Sequence, residues 1–208
     1  MEETLNLFIK TPNGVILTRN KLRTCATNFS DSVLIFTSED KTEDLHSIFI
    51  SSTAFFAKSL YRCVPLRGAI SYGRFYYNFE KNLFCGPSLF RAHELAESAQ
   101  WSGIIIDDNV VEQSQRNPIK SGGKSAIVRW SVSVKEKIGG GEGKLWVLNW
   151  PLICRENFKV GPPISAQLYS EAFESLFKSS YKEWPKAIQV KYDNTVEFIN
   201  STLVSEGK

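Results

Sequence analysis

The sequence NFSDSVLIFT at residues 28–37 begins with polar residues and then becomes continuously apolar. Such a run, rich in β-branched and aromatic side chains and entered from a polar turn, predicts a strand. Apolar residues at 44–60 follow with helical spacing and few breakers, which predicts an amphipathic helix packed on a sheet. A second strand is predicted at 64–73, where Gly68 and Gly73 indicate a bulge or the close approach of another backbone or ligand. This order favours one sheet covered by helices, in an α+β or α/β fold.

The flanking segments extend the pattern. Residues 3–10 predict the end of a helix, which the turn sequence TPNG at 11–14 stops, and residues 15–18 are predicted to be extended. After the second strand we expect a strand at 74–77 that continues the sheet, and a turn at 80–82. A helix opened by Gly-Pro-Ser is expected at 86–99. A buried strand at 103–106 and a polar stretch at 110–123 follow.

The last third of the chain predicts a long hairpin and helices. The hairpin strands, at 126–134 and 144–150, are joined by a glycine-rich loop, and helical segments follow at 165–182 and 187–203. We therefore expect a single domain over 1–208, with a core at 1–110 and a hairpin and C-terminal helical part at 111–208.

Composition limits the class of protein without identifying a partner. The 208 residues suffice for one domain with a sizeable core, and 42% hydrophobic and 23% charged residues are ordinary globular values. A formal charge of +3 is too small to indicate nucleic acid or an acidic membrane. The longest apolar runs, 33–36 and 104–106, are far shorter than the roughly 20 residues of a membrane-spanning helix. The acidic, polar N-terminus differs from a secretory signal, so we expect a cytoplasmic protein with no membrane span.

The cysteines do not have the spacing of a zinc site. Cys25, Cys63, Cys85 and Cys154 are far apart in sequence and include no Cys-x-x-Cys pair. We expect small buried thiols in a reducing compartment.

Two other stretches contain residue types that can bind a ligand, but neither matches a known kind of binding site. The glycine loop that ends at Lys144 differs from a phosphate-binding P-loop, because Leu145 stands where Ser or Thr is required. The aromatic residues at 75–79 are able to stack on nucleobases, but a sheet face plus a dimer interface is the favoured interpretation.

Asp31 is a candidate metal ligand. It stands where the chain leaves a polar turn, and a carboxylate at a strand edge can hold Mg²⁺ or Mn²⁺ against substrate phosphates. On residue pattern alone, a turn or capping role for Asp31 is the alternative.

Four blocks of the chain together resemble a class III nucleotide cyclase domain. They follow the family's order and spacing: FSDSVLI at 29–35, LRGAISYG at 66–73, FCGPSLFRAHELAE at 84–97 and GIIID at 103–107. The bacterial branch of greatest similarity contains the pyrimidine cyclases of Pycsar antiphage systems, whose C-terminal tail the sequence KYDNTVEFI at 191–199 resembles. The resemblance covers residues 3–106 and extends loosely over the remainder.

This resemblance implies a ferredoxin-like sheet and a head-to-tail homodimer with active sites at the dimer interface. In that family, two metal ions, Mg²⁺ or Mn²⁺, bridge two Asp residues and a nucleoside triphosphate. Asp31 matches the second metal carboxylate. The first stands on an opening strand that has no match in this chain, so the implied sheet lacks its first strand. Glu39, Asp40 and Asp107 are possible substitutes without support from spacing, and an N-terminally short product is one explanation of the difference.

The resemblance also assigns three other positions. Phe90 stands where many members carry an Asn that contacts the ribose or the transition state. The adjacent Arg91 is the candidate catalytic residue, since a guanidinium can bind phosphate, with a surface charge as the alternative. Asn28 and Leu83 match positions of base recognition, and a turn role is the alternative for Asn28.

Two functions are expected on these grounds. The first is a nucleotide cyclase that converts a nucleoside triphosphate, UTP or CTP among the candidates, to a 3′,5′-cyclic mononucleotide and pyrophosphate, as a second messenger in antiphage defence. The alternative is a catalytically impaired homodimer of the cyclase fold that binds nucleotide or a protein partner.

Overall fold

A computed structural model describes residues 9–10, 16–17, 23–29, 31–116, 118–121, 123–134, 141–157 and 164–204. The strands are β1 (Ile9–Lys10), β2 (Ile16–Leu17), β3 (Thr24–Phe29), β4 (Ser32–Thr37), β5 (Gly68–Ile70), β6 (Tyr76–Asn78), β7 (Leu83–Cys85), β8 (Ile104–Ile106), β9 (Lys120–Ser121), β10 (Lys124–Ser125), β11 (Ile127–Val134) and β12 (Gly141–Leu148). The helices are α1 (Thr42–Tyr61), α2 (Pro87–Ser98), α3 (Asp108–Arg116), α4 (Trp150–Asn157), α5 (Ala166–Phe177) and α6 (Lys186–Val204), with a 3-10 helix at Tyr181–Glu183. This mixture of helices and sheets agrees with the predicted α+β class.

The largest sheet has four strands in the order β11, β12, β8 and β5. β8 runs parallel to β5 and antiparallel to β12, and β11 and β12 form the predicted long hairpin. All three residues of β8 are buried, as expected for a short apolar strand in the middle of a sheet. The sheet therefore combines strands from both sides of the expected boundary near residue 110.

The stretch at 28–37 belongs to a hairpin rather than to one strand. β3 and β4 pair antiparallel from Thr24 opposite Thr37 to Phe29 opposite Ser32, and Asp31 lies in the turn. α1 packs on this hairpin, and the buried hydroxyls of Thr24 and Ser51 are 3.0 Å apart, within hydrogen-bond distance. Sequence analysis missed the first strand because its residues, TCATNF, are small and polar.

α1 also connects the hairpin to the main core. Its buried side chains include Phe49, Phe56 and Leu60, which belong to the same core as Ile70 of β5. The Phe56 ring lies 4.7 Å from the ring of Trp150 in α4. This helix was predicted correctly from its apolar spacing.

β4 and β5, the strands that α1 joins, are not paired with each other. Among the described residues, β4 pairs only with β3 and β5 only with β8. The segments that follow the two strands nevertheless meet, because the Tyr72 hydroxyl donates a hydrogen bond to Asp40 Oδ2 at 3.1 Å. Each strand therefore has one backbone edge without a strand partner in the described chain.

The hairpin β6–β7 packs its inner face on the end of β4. Phe36, which is buried, lies 4.8 Å from the ring of Tyr77 and 6.2 Å from that of Phe84, and these two residues are cross-strand partners. α2 begins directly after β7, with Pro87 in its first turn as predicted.

The C-terminal helices pack around aromatic side chains. The ring of Tyr169 in α5 stacks on that of Tyr192 in α6 at 5.7 Å, and Phe173 of α5 meets the Tyr192 ring edge-to-face at 5.5 Å. Phe198 of α6 contacts Trp130 of β11 at 5.3 Å, which holds α6 on the main sheet. Trp184-Pro185 separates the 3-10 helix from α6.

Other expectations need correction. Ile9 and Lys10 form a strand paired with β2 rather than a helix end, and the remainder of residues 3–8 and the turn at 11–14 lie outside the described residues. The stretch at 110–123 contains most of α3 and strand β9, which pairs with β10 directly after it, and α4 begins at Trp150, where a strand was expected to end. Of the four free cysteines, Cys25 and Cys154 are buried as expected, whereas Cys63 is half-buried and Cys85 is exposed. Within the described part of the chain, no helix has the length and apolarity needed to cross a membrane.

Gly86 sets the approach of α2 to the preceding hairpin, and its replacement provides a test. Its φ is 148°, and a Cβ there would lie 2.5 Å from the carbonyl oxygen of Arg74. We expect Gly86→Ala to lower the free energy of unfolding by about 1–3 kcal/mol because of backbone strain and this clash. Urea denaturation measures the change. Gly68→Ala is the control, since a Cβ at Gly68 meets nothing within 4 Å. Equal stability of the Gly86 variant and the wild type would contradict this account.

Candidate functional site

Asp31, the expected metal ligand, and Asn28, one of the residues expected to recognise the base, lie at one end of the β3–β4 hairpin. Asp31 is exposed in the turn, and its Oδ1 lies 3.4 Å from the hydroxyl of Ser32, which is in a position to donate to it. Asn28 is also exposed and stands opposite Val33 in the strand register. Both side chains are therefore accessible to a ligand from solution.

Arg91 is held at a different place. Its Nε lies 3.3 Å from Oδ1 of Asp107, in an ion pair that joins α2 to the end of β8. Asp107 follows β8 directly, and Asp40 follows β4. The neighbouring residues Ser71 and Tyr72 donate hydrogen bonds to Asp107 and to Asp40, respectively, so the two carboxylates lie at the same end of the molecule. β4 spans six residues, so Asp31 at its start is about 20 Å from this end. One chain therefore does not bring Asp31 and Arg91 together.

Asp107 is the buried centre of a polar cluster. Only 5% of its side chain is exposed. Besides Arg91, it accepts hydrogen bonds from the hydroxyl of Ser71, at 2.8 Å, and from the backbone N–H of Asp108, at 3.0 Å. Because Ser71 follows β5 and Asp108 begins α3, this carboxylate connects four elements at the carboxyl ends of two parallel strands.

The other candidate carboxylates also have partners. Glu39 forms ion pairs with Arg23 and Lys41. The hydrogen bond from Lys41, together with the charges of Lys41 and Arg23, lowers the pKa of Glu39. Asp40 accepts from Tyr72, and this hydrogen bond raises the pKa of the Tyr72 hydroxyl. Glu39, Asp40 and Asp107 are therefore each held by partners at the far end of β4 rather than beside Asp31.

Asp31 is not part of a metal-binding cluster in the described chain. Mg²⁺ and Mn²⁺ require several oxygen ligands, and a site that clamps two such ions needs more than one carboxylate. Among the residues that the structure describes, no three His, Cys, Asp or Glu side chains form a group able to hold a metal ion. Asp31 alone does not provide the implied clamp.

Leu83 lies on a largely apolar surface, which we call the outer hairpin face and define as Tyr76, Asn78, Leu83 and Cys85. These residues share one face because Tyr76 pairs with Cys85 and Asn78 with Leu83, and side chains alternate along each strand. Tyr76 is 54% exposed and Leu83 45%. Phe90, one turn into the helix that follows, is 64% exposed, the highest value among the described large hydrophobic residues. The opposite face of the hairpin is the one that packs on Phe36.

Sequence analysis overlooked two features of this region. It considered Asp107 only as a metal ligand and did not identify Ser71. Their connection depends on the parallel pairing of β5 and β8, which places residues 36 positions apart side by side. The available signal was the presence of a polar residue directly after each of two buried strands.

No known protein family, curated protein or solved structure matches the chain.

The Asp107 cluster provides a stability test. Asp107→Ala removes the acceptor for Ser71 and Arg91 and leaves a half-buried hydroxyl unpaired, so we expect a loss of about 2 kcal/mol in the free energy of unfolding. Asp108→Ala is the matched control, since Asp108 is exposed on the adjacent position. Urea denaturation of both variants checks this. A loss no larger than that of the control would show that the cluster does not hold the elements together.

Proposed function

We propose that the chain is a self-associating subunit that resembles class III cyclases, binds nucleotide at the Asp31 turn and lacks the two-metal centre in its described part. The observation that carries this proposal is the outer hairpin face together with Phe90. Three of the six exposed large hydrophobic residues in the described chain, Tyr76, Leu83 and Phe90, belong to this set. Such a concentration of aromatic and aliphatic side chains is typical of a protein interface.

A second copy of the chain is the partner that we propose for this face. The exposed residues around it carry both signs of charge, including Arg74, Glu80 and Lys81. A two-fold interface places each patch against its own copy, and mixed charges at the rim allow opposite signs to face each other. The resemblance to cyclases, whose members form homodimers, supports the same partner.

Self-association also has a consequence for the candidate site. Asp31 and Arg91 lie at opposite ends of β4 in one chain, so a site that uses both requires residues from two copies. In this proposal, the Asp31 turn of one subunit binds nucleotide with Asn28 beside it, and Asn28 offers its amide to the edge of the base. Arg91 is retained by Asp107 and acts in the packing of α2.

Nucleotide cyclisation is the second candidate. The order of the four blocks favours it, because in the structure these blocks fall on the hairpin turn, on β5, on the start of α2 and on β8. In that reaction the ribose 3′-oxygen forms a bond to the α-phosphorus, the bond from that phosphorus to the bridging oxygen of pyrophosphate breaks, and the hydroxyl proton passes to solvent. Among the described residues, Asp31 belongs to no group of three or more His, Cys, Asp or Glu side chains able to hold a metal ion, which weighs against turnover.

The interface prediction concerns the mass of the protein in solution. We expect wild type to sediment as a dimer, and Tyr76→Ser combined with Leu83→Ser to raise the dissociation constant about thirtyfold or more, because central apolar side chains dominate interface energies. Leu176→Ser is the matched control, since Leu176 is 46% exposed on α5 and Leu83 45% exposed on β7. A wild-type monomer, or equal weakening by the control, would refute the interface.

The turnover prediction separates the two candidates. Incubation of the protein with each of the four nucleoside triphosphates and Mn²⁺ is expected to give nucleotide binding without a cyclic product. Because a carboxylate repels phosphates unless a cation lies between them, Asp31→Asn is expected to weaken the binding measured in Mn²⁺, and Asp108→Asn, at an exposed carboxylate in α3, serves as its control. Formation of a cyclic mononucleotide that Asp31→Asn lowers about a hundredfold would instead establish the cyclase candidate.

A further inference from the structure

An open groove of about 520 Å³ lies where α1 begins and α3 ends. Its lining includes the basic residues His46, Arg116 and Lys120, and its one acidic residue is Glu43. Thr42, Pro118 and Ile119 complete the described lining.

The basic side chains of the groove are not neutralised by the protein. His46, Arg116 and Lys120 are exposed, and in the described part of the chain none of them forms an ion pair or a side-chain hydrogen bond. The two cationic side chains on this surface, Arg116 and Lys120, repel each other unless an anion or solvent screens them. They therefore favour an anionic ligand.

The carboxylates nearest the start of α1 do not fill this role, because other partners hold them. Glu39 is paired with Arg23 and Lys41. Asp44 is buried, with its Oδ1 3.3 Å from Arg23 Nε and its Oδ2 3.0 Å from the backbone nitrogen of Lys41. Asp40 accepts from Tyr72. Among the described lining residues, Glu43 is the one competing carboxylate.

We propose that this groove binds the phosphate group of a small organic phosphate, such as a sugar phosphate or a nucleotide. Arg116 binds two phosphate oxygens with its planar guanidinium, and Lys120 supplies a second positive charge. Thr42 offers a hydroxyl donor, and Pro118 and Ile119 provide an apolar wall for the organic part. The groove lies at the Asp40 end of β4, opposite the Asp31 turn, so it is separate from the nucleotide site of the proposed function and does not depend on it.

Titration calorimetry at low ionic strength tests this proposal with three probes, which are inorganic phosphate, ribose 5-phosphate and adenosine 5′-monophosphate, and with ribose as the uncharged control. We expect ribose 5-phosphate to bind more tightly than inorganic phosphate, and ribose not to bind. Stronger binding of adenosine 5′-monophosphate than of ribose 5-phosphate would identify a nucleotide as the ligand, and equal binding a sugar phosphate.

Charge variants assign the binding to the groove. Arg116→Gln with Lys120→Gln is expected to weaken binding of ribose 5-phosphate about tenfold or more, because two charge-assisted contacts are lost. Lys182→Gln with Lys186→Gln removes the same charge from exposed positions outside the groove and is expected to leave binding unchanged. Glu43→Gln is expected to tighten binding severalfold, an opposite effect that a folding defect does not produce.

Three results would overturn the proposal: no binding of any phosphate by the wild type, equal weakening by the two double variants, or no tightening by Glu43→Gln. Asp31→Asn separates the groove from the nucleotide site, since it is expected to leave ribose 5-phosphate binding unchanged. Conversely, loss of that binding in the Asp31 variant alone would place the phosphate at the Asp31 turn and not in the groove.

Discussion

The fold depends on α1, because this helix holds together two strands that no backbone pairing joins. β4 and β5 belong to different sheets in the described chain. α1 contacts β3 and β4, and its buried side chains Phe49, Phe56 and Leu60 belong to the main core that contains Ile70 of β5. Burial of side chains of this size contributes about 1.5–3 kcal/mol each. The apolar spacing at 44–60 is thus the main reason that the hairpin and the main sheet form one structure.

This arrangement also separates the chemistry of the molecule into two ends. The Asp31 turn lies at the start of β4, whereas Asp40, Ser71 and Asp107 follow the strand ends at the other side. Burial of Asp107 requires that its charge be paired, and Arg91 and Ser71 supply that pairing. Because Asp107 holds Arg91, we do not place Arg91 in the candidate nucleotide site. Arg116 and Lys120, at the same end of the molecule, form no ion pair within the described part of the chain.

The parts of the fold that sequence reasoning found are those with a strong local signal. α1 has long apolar periodicity, α2 has Pro87 in its first turn, and the strands of the β11–β12 hairpin alternate on either side of a glycine-rich loop. The missed elements lack such signals: α3 is polar apart from Val110 and Val111, and the small and polar residues of β3 do not look like a strand. Pairing between β5 and β8 cannot be read from local sequence, and for that reason the partners of Arg91 were not predicted. The resemblance to cyclases pointed to Asp31 and Leu83, both exposed in the structure, but spacing alone could not show which other side chains accompany them.

In the proposed dimer, the outer hairpin face joins two copies of the chain. Amide hydrogen exchange, followed by mass spectrometry at high and at low protein concentration, tests it most directly, because only an interface gains protection when the protein associates. We expect the amides of residues 76–90 to exchange more slowly at high protein concentration, and the exchange rates of α5 and α6 to be the same at both concentrations. Equal exchange of residues 76–90 at both concentrations, in a protein that is shown to be dimeric at the higher one, would contradict it.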